Sequence, residues 1–341
     1  MISPLAREKY SRQILFPPLG EQGQEKLFAS RAVIVGCGAL GSVQACALAR
    51  AGVGDIVIID RDYIEPSNLQ RQWLFDEADA ARGLPKAVAA AEKLAAINSE
   101  VRVHPVVADL TARNAEELLL PANVILDGAD NFEARYLVND VAVKHGVSWI
   151  YGAAVGSSGF TMPVLPRVSA CLSCLFPSPP SGNQPTCDTA GVLNAITALV
   201  ACLQVADALK ILSGSERSVE PRLFSIDIWS NQWRSISTRE RDPECLTCAR
   251  SEFRYLNGPD RPPISLCGRN AVQIRAPAGP VDLHSLGESL RRLGTVRANE
   301  HALRFLCPPY EMTVFPDGRA IVKGTSDISV ARSLYTRYVG G

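Results

Sequence analysis

The sequence predicts an α/β fold in which helices flank a mainly parallel β-sheet. Between residues 32 and 150, short apolar segments alternate with segments of helical periodicity, as in strand–helix units that cover both faces of a sheet. The first unit joins its strand to its helix through Gly36-Cys37-Gly38-Ala39-Leu40-Gly41, a turn typical of Rossmann-like sheets. After Asn257-Gly258-Pro259 the composition shifts to proline and turn residues. We therefore expect a Rossmann-like domain over residues 1–255 and a small α+β domain over 256–341.

The individual elements follow from the apolar pattern in chain order. A helical or coiled lead-in, broken at Pro17-Pro18, precedes the sheet. Strands are predicted at 32–36, 55–60, 101–107, 123–127 and 148–152. Helices are predicted at 39–51, 84–97, 111–119 and 131–145. A loop rich in proline, serine and glycine at 175–190 leads to a long helix, and β-rich runs follow at 222–228 and 232–238. The last unit is predicted as strand, helix, strands and helix, with a hairpin turn at Pro316-Asp317-Gly318.

Charge and composition exclude several classes of protein. Lys and Arg together number 35, as do Asp and Glu, so the balance argues against nucleic acid as a partner. The apolar segment 191–212 contains Asn194, Gln204, Asp207 and Lys210, which favours a buried or amphipathic helix over a membrane span. No signal-peptide pattern follows Met1, so we expect a cytoplasmic protein. Its ten cysteines then favour reduced thiols and metal ligation.

The glycine turn at residues 36–41, called the glycine loop below, points to a nucleotide. Gly36, Gly38 and Gly41 allow a tight turn that a ligand can approach, and the helix that follows presents backbone N–H groups to phosphate. Asp60 ends the next strand, where a carboxylate can accept hydrogen bonds from ribose hydroxyls. An ordinary NAD-dependent dehydrogenase shows the same pattern, so the glycines alone leave both nucleotides open.

Polar residues beyond the strands favour ATP over NAD. Amide and guanidinium groups gather just after the second strand, at Ser67, Asn68, Gln70, Arg71 and Gln72. Lys86 follows Pro85, a residue that suits the first turn of a helix. Another strand leads into Asp127-Gly128-Ala129-Asp130-Asn131 at the same predicted edge. An arginine and a lysine suit a triphosphate, and an aspartate suits Mg²⁺.

Four cysteines form two Cys-x-x-Cys pairs, Cys171/Cys174 and Cys245/Cys248. Four thiolates are the number that a closed, structural zinc site needs. A redox pair and unliganded core thiols are the alternatives. The remaining cysteines outside these pairs are expected to be packing residues, with one exception: Cys187 precedes a helix beginning near Gly191, where a helix N-terminus would stabilise its thiolate. An ordinary loop cysteine is the alternative for Cys187.

These motifs together resemble the ThiF/MoeB-type adenylyltransferases, bacterial relatives of ubiquitin-activating enzymes. The resemblance spans roughly the first three quarters of the chain, in order. A second, shorter resemblance, to the extension of some thiazole-biosynthesis ThiF proteins, covers the tail from Leu266-Cys267-Gly268 to Tyr338-Val339-Gly340. The matching segments of the first are Arg7–Gln13, the glycine loop, Asp60, Asn68–Gln72, Gly83–Lys86, Ala129–Asn131, Thr186-Cys187 and Ala190–Val192.

The resemblance implies ATP-dependent adenylation of the C-terminal glycine carboxylate of a small ubiquitin-like sulfur-carrier protein ending in Gly-Gly. The products would be an acyl adenylate and pyrophosphate, and a sulfur-donating protein would later supply the thiocarboxylate. Asp60 and Asn68 would hold the ribose side of ATP, and Asp130 would position magnesium. Arg71, Lys86 and Arg12 would balance the charge of the triphosphate.

The resemblance also implies an assembly and two roles for cysteine. Relatives are homodimers in which the arginine matching Arg12 reaches the partner's site. The paired cysteines would bind one zinc ion, and the residue matching Cys187 can link covalently to the carrier. An NAD-dependent oxidoreductase and a non-catalytic partner of an activating enzyme stay open as alternatives. Both thiamin and molybdopterin pathways stay open, and the ending Gly340-Gly341, which resembles a carrier tail, is interpreted as chance or a chain boundary.

Overall fold

The computed structural model describes residues 3–179, 187–258, 265–266, 270–274 and 280–340, without the side chains of residues 187, 188, 265 and 266. The chain divides into two compact units. The first contains Met1–Gly182 and Gly191–Gly258, and the second contains Asn183–Ala190 and Pro259–Gly341. Thr186, Cys267 and Gly341 lie outside the described residues.

The first unit is built on an eight-stranded sheet in the order β3-β2-β1-β4-β5-β6-β7-β8. The pairs from β3 through β5 are parallel, and those from β5 through β8 are antiparallel. The predicted, mainly parallel sheet is therefore confirmed, with strand bounds close to those expected. The strands are β1 (Arg31–Val35), β2 (Asp55–Ile59), β3 (Arg102–Val106), β4 (Val124–Asp127), β5 (Trp149–Val155), β6 (Ser158–Val164), β7 (Arg222–Asp227) and β8 (Gln232–Ser237).

The helices of the first unit connect these strands. Two short helices absent from the sequence prediction, α5 and α9, add to the expected set. The helices are α1 (Pro4–Lys9), α2 (Ser11–Ile14), α3 (Gly20–Phe28), α4 (Gly41–Ala51), α5 (Glu77–Arg82), α6 (Lys86–Ile97), α7 (Ala115–Leu119), α8 (Phe132–His145), α9 (Leu172–Leu175) and α11 (Asn194–Leu212), with 3-10 turns at Pro66–Asn68 and Glu216–Ser218. α10 (Cys187–Ala190) belongs to the second unit and lies within the predicted loop, so Cys187 begins a short helix, and the long helix α11 starts at Asn194 and not near Gly191 as predicted.

Two apolar cores lie on the two sides of the sheet because alternate strand residues point to opposite faces. One contains Ile34, Ile56 and Leu126 with residues of α4, α6 and α11. The other contains Val33 and Ile125 with residues of α7 and α8. Both faces of the parallel part are thus covered, as parallel sheets require.

The 19-residue helix α11 is long and apolar enough to cross a membrane by composition alone. Its contacts identify it instead as a core helix of the first unit. Ile196, Val200 and Ala201 are buried in an apolar cluster with Leu40 and Ile226. Its central Gln204 is fully buried, and Nε2 donates to the carbonyl oxygens of Asp127 (2.9 Å) and Ile150 (2.9 Å). The prediction of a buried or amphipathic helix is confirmed.

The second unit contains a six-stranded sheet in the order β11-β12-β13-β14-β10-β9, in which all pairs are antiparallel. Its apolar core includes Phe305, Val314 and Tyr335. The turn predicted at residues 316–318 joins β13 to β14, where Gly318 has φ +83°. The elements are β9 (Ser265–Leu266), β10 (Ala271–Ile274), α12 (Leu283–Leu290), β11 (Thr295–Ala298), β12 (Leu303–Cys307), β13 (Tyr310–Val314), β14 (Ala320–Lys323) and α13 (Ile328–Tyr338).

Candidate nucleotide site and cysteine cluster

The glycine loop fits the sheet edge only because two of its glycines have no side chain. Gly36 has φ +88°, and a Cβ atom there would lie 2.4 Å from the carbonyl oxygen of Gly128. A Cβ atom on Gly41 would lie 1.8 Å from the carbonyl oxygen of Gly36. Gly38 differs, since a Cβ atom there would meet only Nε2 of Gln72, at 3.9 Å. The loop is therefore packed at both ends and open at Gly38.

This open part of the loop presents backbone donors. Within the described chain, no acceptor is found for the N–H groups of Gly38, Ala39, Leu40 and Gly41. They precede the 11-residue helix α4, whose dipole places partial positive charge at the same end. Such an arrangement suits a phosphate group.

Asp60 lies at the carboxyl end of β2 and holds the neighbouring backbone in place. Its two carboxylate oxygens accept hydrogen bonds from the N–H groups of Cys37 (2.6 Å) and Asp62 (2.6 Å). Burial raises the pKa of this carboxyl, and the positive charge of Lys86 opposes the rise. Asp60 thus connects the glycine loop to the chain beyond β2, beside the position expected for a ribose.

Lys86 begins α6 and lies in a buried network of charges. Its Nζ is 3.1 Å from Oδ2 of Asp62, and its side chain is 5% exposed. Arg61 in turn contacts both Asp62 (3.8 Å) and Asp109 (2.9 Å). Pro85 is the N-cap residue, so the helix begins at Lys86, two residues after the predicted start at residue 84. The lysine charge is therefore paired with the carboxylate of Asp62.

The polar segment after β2 is ordered by a capping box around Pro66–Asn68. Oδ1 of Asn68 accepts the N–H of Glu65 (3.0 Å), which leaves its Nδ2 group for a ligand. Nη1 of the half-buried Arg71 donates to the carbonyl oxygen of Ser67 (2.8 Å). Local hydrogen bonds within this segment thus hold the side chains of Asn68 and Arg71 in place.

Asp130 is exposed at the carboxyl end of β4, where Asn131 donates to its Oδ1 (3.1 Å). A buried ion pair, which the sequence analysis missed, supports this turn. Nε of Arg135 is 3.0 Å from Oδ2 of Asp127, and Nη2 donates to the carbonyl oxygens of Ala129 (2.8 Å) and Gly152 (3.1 Å). The only signal for this pair in the sequence is that Asp127 ends a strand and Arg135 follows in the first turns of the next helix.

The strand order explains which predicted residues meet. β2, β1 and β4 are parallel neighbours, so Asp60, the glycine loop and the turn bearing Asp130 share one edge of the sheet. Arg12 is not brought to this edge by any contact among the described residues; it is exposed on α2. The side chain of Cys187 lies outside the described residues.

The four predicted cysteines meet in one cluster, called the cysteine cluster below. The Sγ atom of Cys171 lies 3.8 Å from that of Cys174 and 3.7 Å from that of Cys245, and the Sγ atoms of Cys174 and Cys248 lie 3.4 Å apart. All four Sγ atoms lie within 4.8 Å of one another. Tetrahedral zinc with bonds of about 2.3 Å requires S···S separations of about 3.8 Å, so the donor set fits zinc.

Comparison with known proteins agrees with this geometry. The model of the ThiF family matches residues 10–247. The chain is 46% identical over 336 residues to the sulfur carrier protein ThiS adenylyltransferase of Bacillus subtilis (strain 168), covering 97% of this chain and 99% of that protein. It is 39% identical over 247 residues to a sulfur carrier protein adenylyltransferase of Thermus thermophilus, covering 71% of this chain and 90% of that one.

A solved structure shows the same fold. The crystal structure of E. coli MccB with ATP has a TM-score of 0.58 and 26% sequence identity, covering 67% of this chain and 68% of MccB. The match to the family model spans more than half of the chain, and the relatives named above match far beyond chance. The chain belongs to the ThiF family. Its similarity to named adenylyltransferases over nearly its whole length makes it an adenylyltransferase.

Proposed function

We propose that this protein uses ATP to adenylate the C-terminal glycine carboxylate of a small sulfur-carrier protein. The observation that carries the proposal is the edge formed by β2, β1 and β4. There, Asp60, Lys86 and Asp130 lie with N–H groups of the glycine loop that have no acceptor among the described residues. The carrier carboxylate would attack the α-phosphorus, a P–O bond would form, and pyrophosphate would leave. The identity to the B. subtilis ThiS adenylyltransferase over nearly the whole chain supports a carrier substrate and favours the thiamin over the molybdopterin pathway.

The nucleotide would lie with its phosphates over the open part of the glycine loop. Asp60 and Asn68 would bind the ribose side. Arg71 would approach the triphosphate from its segment after β2, and Lys86 would exchange its contact with Asp62 for a phosphate oxygen. Arginine and lysine both suit phosphate, as a fork of donors and as a point charge respectively.

Two metal ions belong to the proposal. Mg²⁺ would bind at the exposed Asp130 together with phosphate oxygens, as Mg²⁺ commonly does at nucleotide sites. Zn²⁺ would bind to the cysteine cluster, where four thiolates leave no open position for a reacting group. We therefore assign zinc a structural role, joining α9 and the residue before it to the segment after β8.

The proposed partners are the carrier, a sulfur-donating protein and a second copy of this chain in a cytoplasmic homodimer. Exposed Arg12 would enter the site of the partner copy and balance triphosphate charge there.

The thiol of Cys187 would attack the acyl adenylate and release AMP, giving a thioester to the carrier. Cys187→Ala should abolish a thiol-sensitive carrier adduct and leave the earlier adenylation step intact.

Pyrophosphate–ATP exchange tests the proposed reaction. Exchange should require a carrier ending in Gly-Gly and should disappear with a carrier shortened by its last glycine. Lys86→Ala and Asp130→Ala should each lower the exchange rate at least about 100-fold, the scale of losing one electrostatic stabiliser. Lys144→Ala, at an exposed lysine that pairs with Glu116, is the matched control. Exchange by the wild type that is independent of any carrier carboxylate would contradict the proposal.

A further inference from the structure

Gln72 presents an unusual amide beside the glycine loop. The residue is 3% exposed, and its Oε1 is buried without a hydrogen-bond partner in the part of the chain that the structure describes. Apart from the neighbours of Gly38 in the chain, its Nε2 is the only atom of the described residues within 4 Å of the position that a Cβ atom on Gly38 would take, at 3.9 Å. The backbone N–H of Gln72 donates to the carbonyl oxygen of Asn68 (3.0 Å), so the segment after β2 fixes where this side chain starts. The amide is therefore held at the open part of the loop.

A buried amide with an unpartnered oxygen lowers stability. Leaving such a group unsatisfied costs more than replacing it with an apolar side chain of similar shape. Most buried polar side-chain atoms in folded proteins have a partner, so an exception requires a reason. Packing does not supply one for Gln72, because a methionine would fill the same volume without the polar atoms.

The surroundings of Nε2 indicate which ligand group it would bind. Gly38, Ala39, Leu40 and Gly41 offer N–H donors that have no acceptor within the described chain. The Nε2 group of Gln72 adds further donors next to Gly38. N–H donors grouped at a helix N-terminus are complementary to an oxyanion.

We propose that Gln72 is a ligand-binding residue whose Nε2 donates a hydrogen bond to a phosphate oxygen of ATP above Gly38. The inference rests on the proposed function and adds a residue to the nucleotide site. In this proposal the Gln72 amide binds the nucleotide and does not contact the carrier. Because the oxygen of the amide is already unpartnered, removal of the amide should weaken ATP binding without weakening the fold.

Direct ATP binding and thermal unfolding of Gln72 variants test this assignment. Gln72→Met keeps the length of the side chain and removes its donors, and we expect the Kd for ATP to rise about ten- to a hundredfold, as for one lost hydrogen bond to a charged group. Its Tm without nucleotide should equal or exceed that of the wild type. Gln72→Glu keeps the shape and places negative charge at the loop, so its Kd for ATP should rise further.

Thr238→Val is the matched control. Thr238 is 2% exposed, and its Oγ1 is likewise buried without a partner, but it follows β8 and bonds through its backbone to Pro221 and Ala170. This variant should retain wild-type Tm or better and bind ATP normally. This control measures how the loss of a buried oxygen without a partner changes Tm and the Kd for ATP at a position outside the glycine loop.

The outcomes separate the two proposals. A wild-type Kd for ATP in Gln72→Met, with wild-type exchange activity, would overturn the role of Gln72 and leave the proposed function standing. A lower Tm with an unchanged Kd would make Gln72 a structural residue and also overturn the role. Tight ATP binding by Gln72→Glu would also overturn the role. A carboxylate repels phosphate oxygens, so the group of ATP nearest to residue 72 would then be a hydroxyl. If the wild type neither binds ATP nor exchanges pyrophosphate, both proposals fail.

Discussion

At the scale of single residues, the three glycines of the loop have different physical roles. Gly36 and Gly41 are required because backbone atoms lie closer than any Cβ atom allows, whereas a Cβ atom on Gly38 would meet only the side-chain Nε2 of Gln72, at 3.9 Å, among the described residues. The sequence pattern cannot distinguish these roles, because all three positions are glycine. Substitution by alanine should therefore have different effects at Gly41 and at Gly38: loss of stability at the first and weaker ATP binding at the second.

Gly41→Ala should destabilise the fold because its Cβ atom would lie 1.8 Å from the carbonyl oxygen of Gly36. Gly38→Ala should leave Tm near that of the wild type and weaken ATP binding, because its methyl group would enter the space above the loop. Thermal unfolding and ATP titration of the two variants measure both effects. Equal Tm losses in both variants would contradict the distinction.

The charged residues illustrate what could be predicted from the sequence. Asp60, Lys86 and Asp130 could be identified because each follows a strand or begins a helix that local pattern defines. The contact between Lys86 and Asp62 could not, since it depends on the exact path of the chain after β2. The pairing of Arg135 with Asp127 and the contact of Gln204 with the same strand end join residues that are distant in sequence or on different elements. Periodicity carries no information about such contacts.

At the scale of elements, the parallel half of the sheet was predictable and the antiparallel half was only partly so. Strand–helix alternation is a local signal, and β1 to β5 follow it. β6 follows β5 directly and was not predicted, since Gly156 and Gly159 interrupt the apolar pattern. The spacing identified the two Cys-x-x-Cys pairs, and the family resemblance implied that residues 171–174 and 245–248, far apart in the chain, meet at one site; the cysteine cluster confirms that they meet.

The cysteine cluster should stabilise the first unit by binding zinc. We expect about one zinc ion per chain, and we expect Cys174→Ser to lower both zinc content and Tm because structural zinc contributes its binding energy to folding. Cys202→Ser, at an exposed cysteine outside the cluster, is the control and should change neither. Elemental analysis combined with thermal unfolding provides the measurement. A metal-free protein with full stability would rule out the structural zinc.

Helix α8 carries a buried carboxyl that should make stability depend on pH. Oδ2 of Asp140 accepts the N–H groups of Tyr255 (2.8 Å) and Leu256 (3.2 Å). Burial raises the pKa of Asp140 from 3.8 to about 6. The folded protein therefore holds this proton more tightly than the unfolded chain, so stability from this group is present below pH 4 and is lost as pH rises through 6.

Asp140→Asn should remove that dependence. A pKa raised from 3.8 to about 6 corresponds to about 3 kcal/mol. The free energy of unfolding of the wild type should fall by roughly this amount, relative to Asp140→Asn, between pH 4 and pH 7. Urea unfolding of both proteins across this range measures the difference. A difference that stays constant with pH would show that the pKa of Asp140 is the same in the folded protein as in the unfolded chain.

At the scale of the whole molecule, the proposed dimer makes each site depend on two chains. Arg12 is exposed on α2 near the exposed side chains of Leu15 and Phe16, an arrangement that suits a contact between copies. If Arg12 acts in the partner's site, Arg12→Ala and Lys86→Ala chains should complement each other. In a mixed dimer, one of two sites then contains both an intact Lys86 and an intact Arg12.

Mixing the two inactive variants in equal amounts should restore about a quarter of wild-type exchange activity, since half of the dimers are mixed and half of their sites are complete. Each variant alone, at the same total concentration, should stay inactive. Dissociation and reassociation before the assay allow the chains to exchange. No recovery after demonstrated chain exchange would place Arg12 in its own chain's site or outside the reaction.

The central claim, adenylation of a carrier carboxylate, is tested most directly by the mass of the carrier after reaction. Incubation with this protein, ATP and Mg²⁺, with pyrophosphatase present, should increase the mass of a carrier ending in Gly-Gly by one AMP group less one water. Lys86→Ala should leave the carrier mass unchanged, and so should a carrier with an amidated C-terminus. Formation of ADP, or a mass increase on the amidated carrier, would contradict the account.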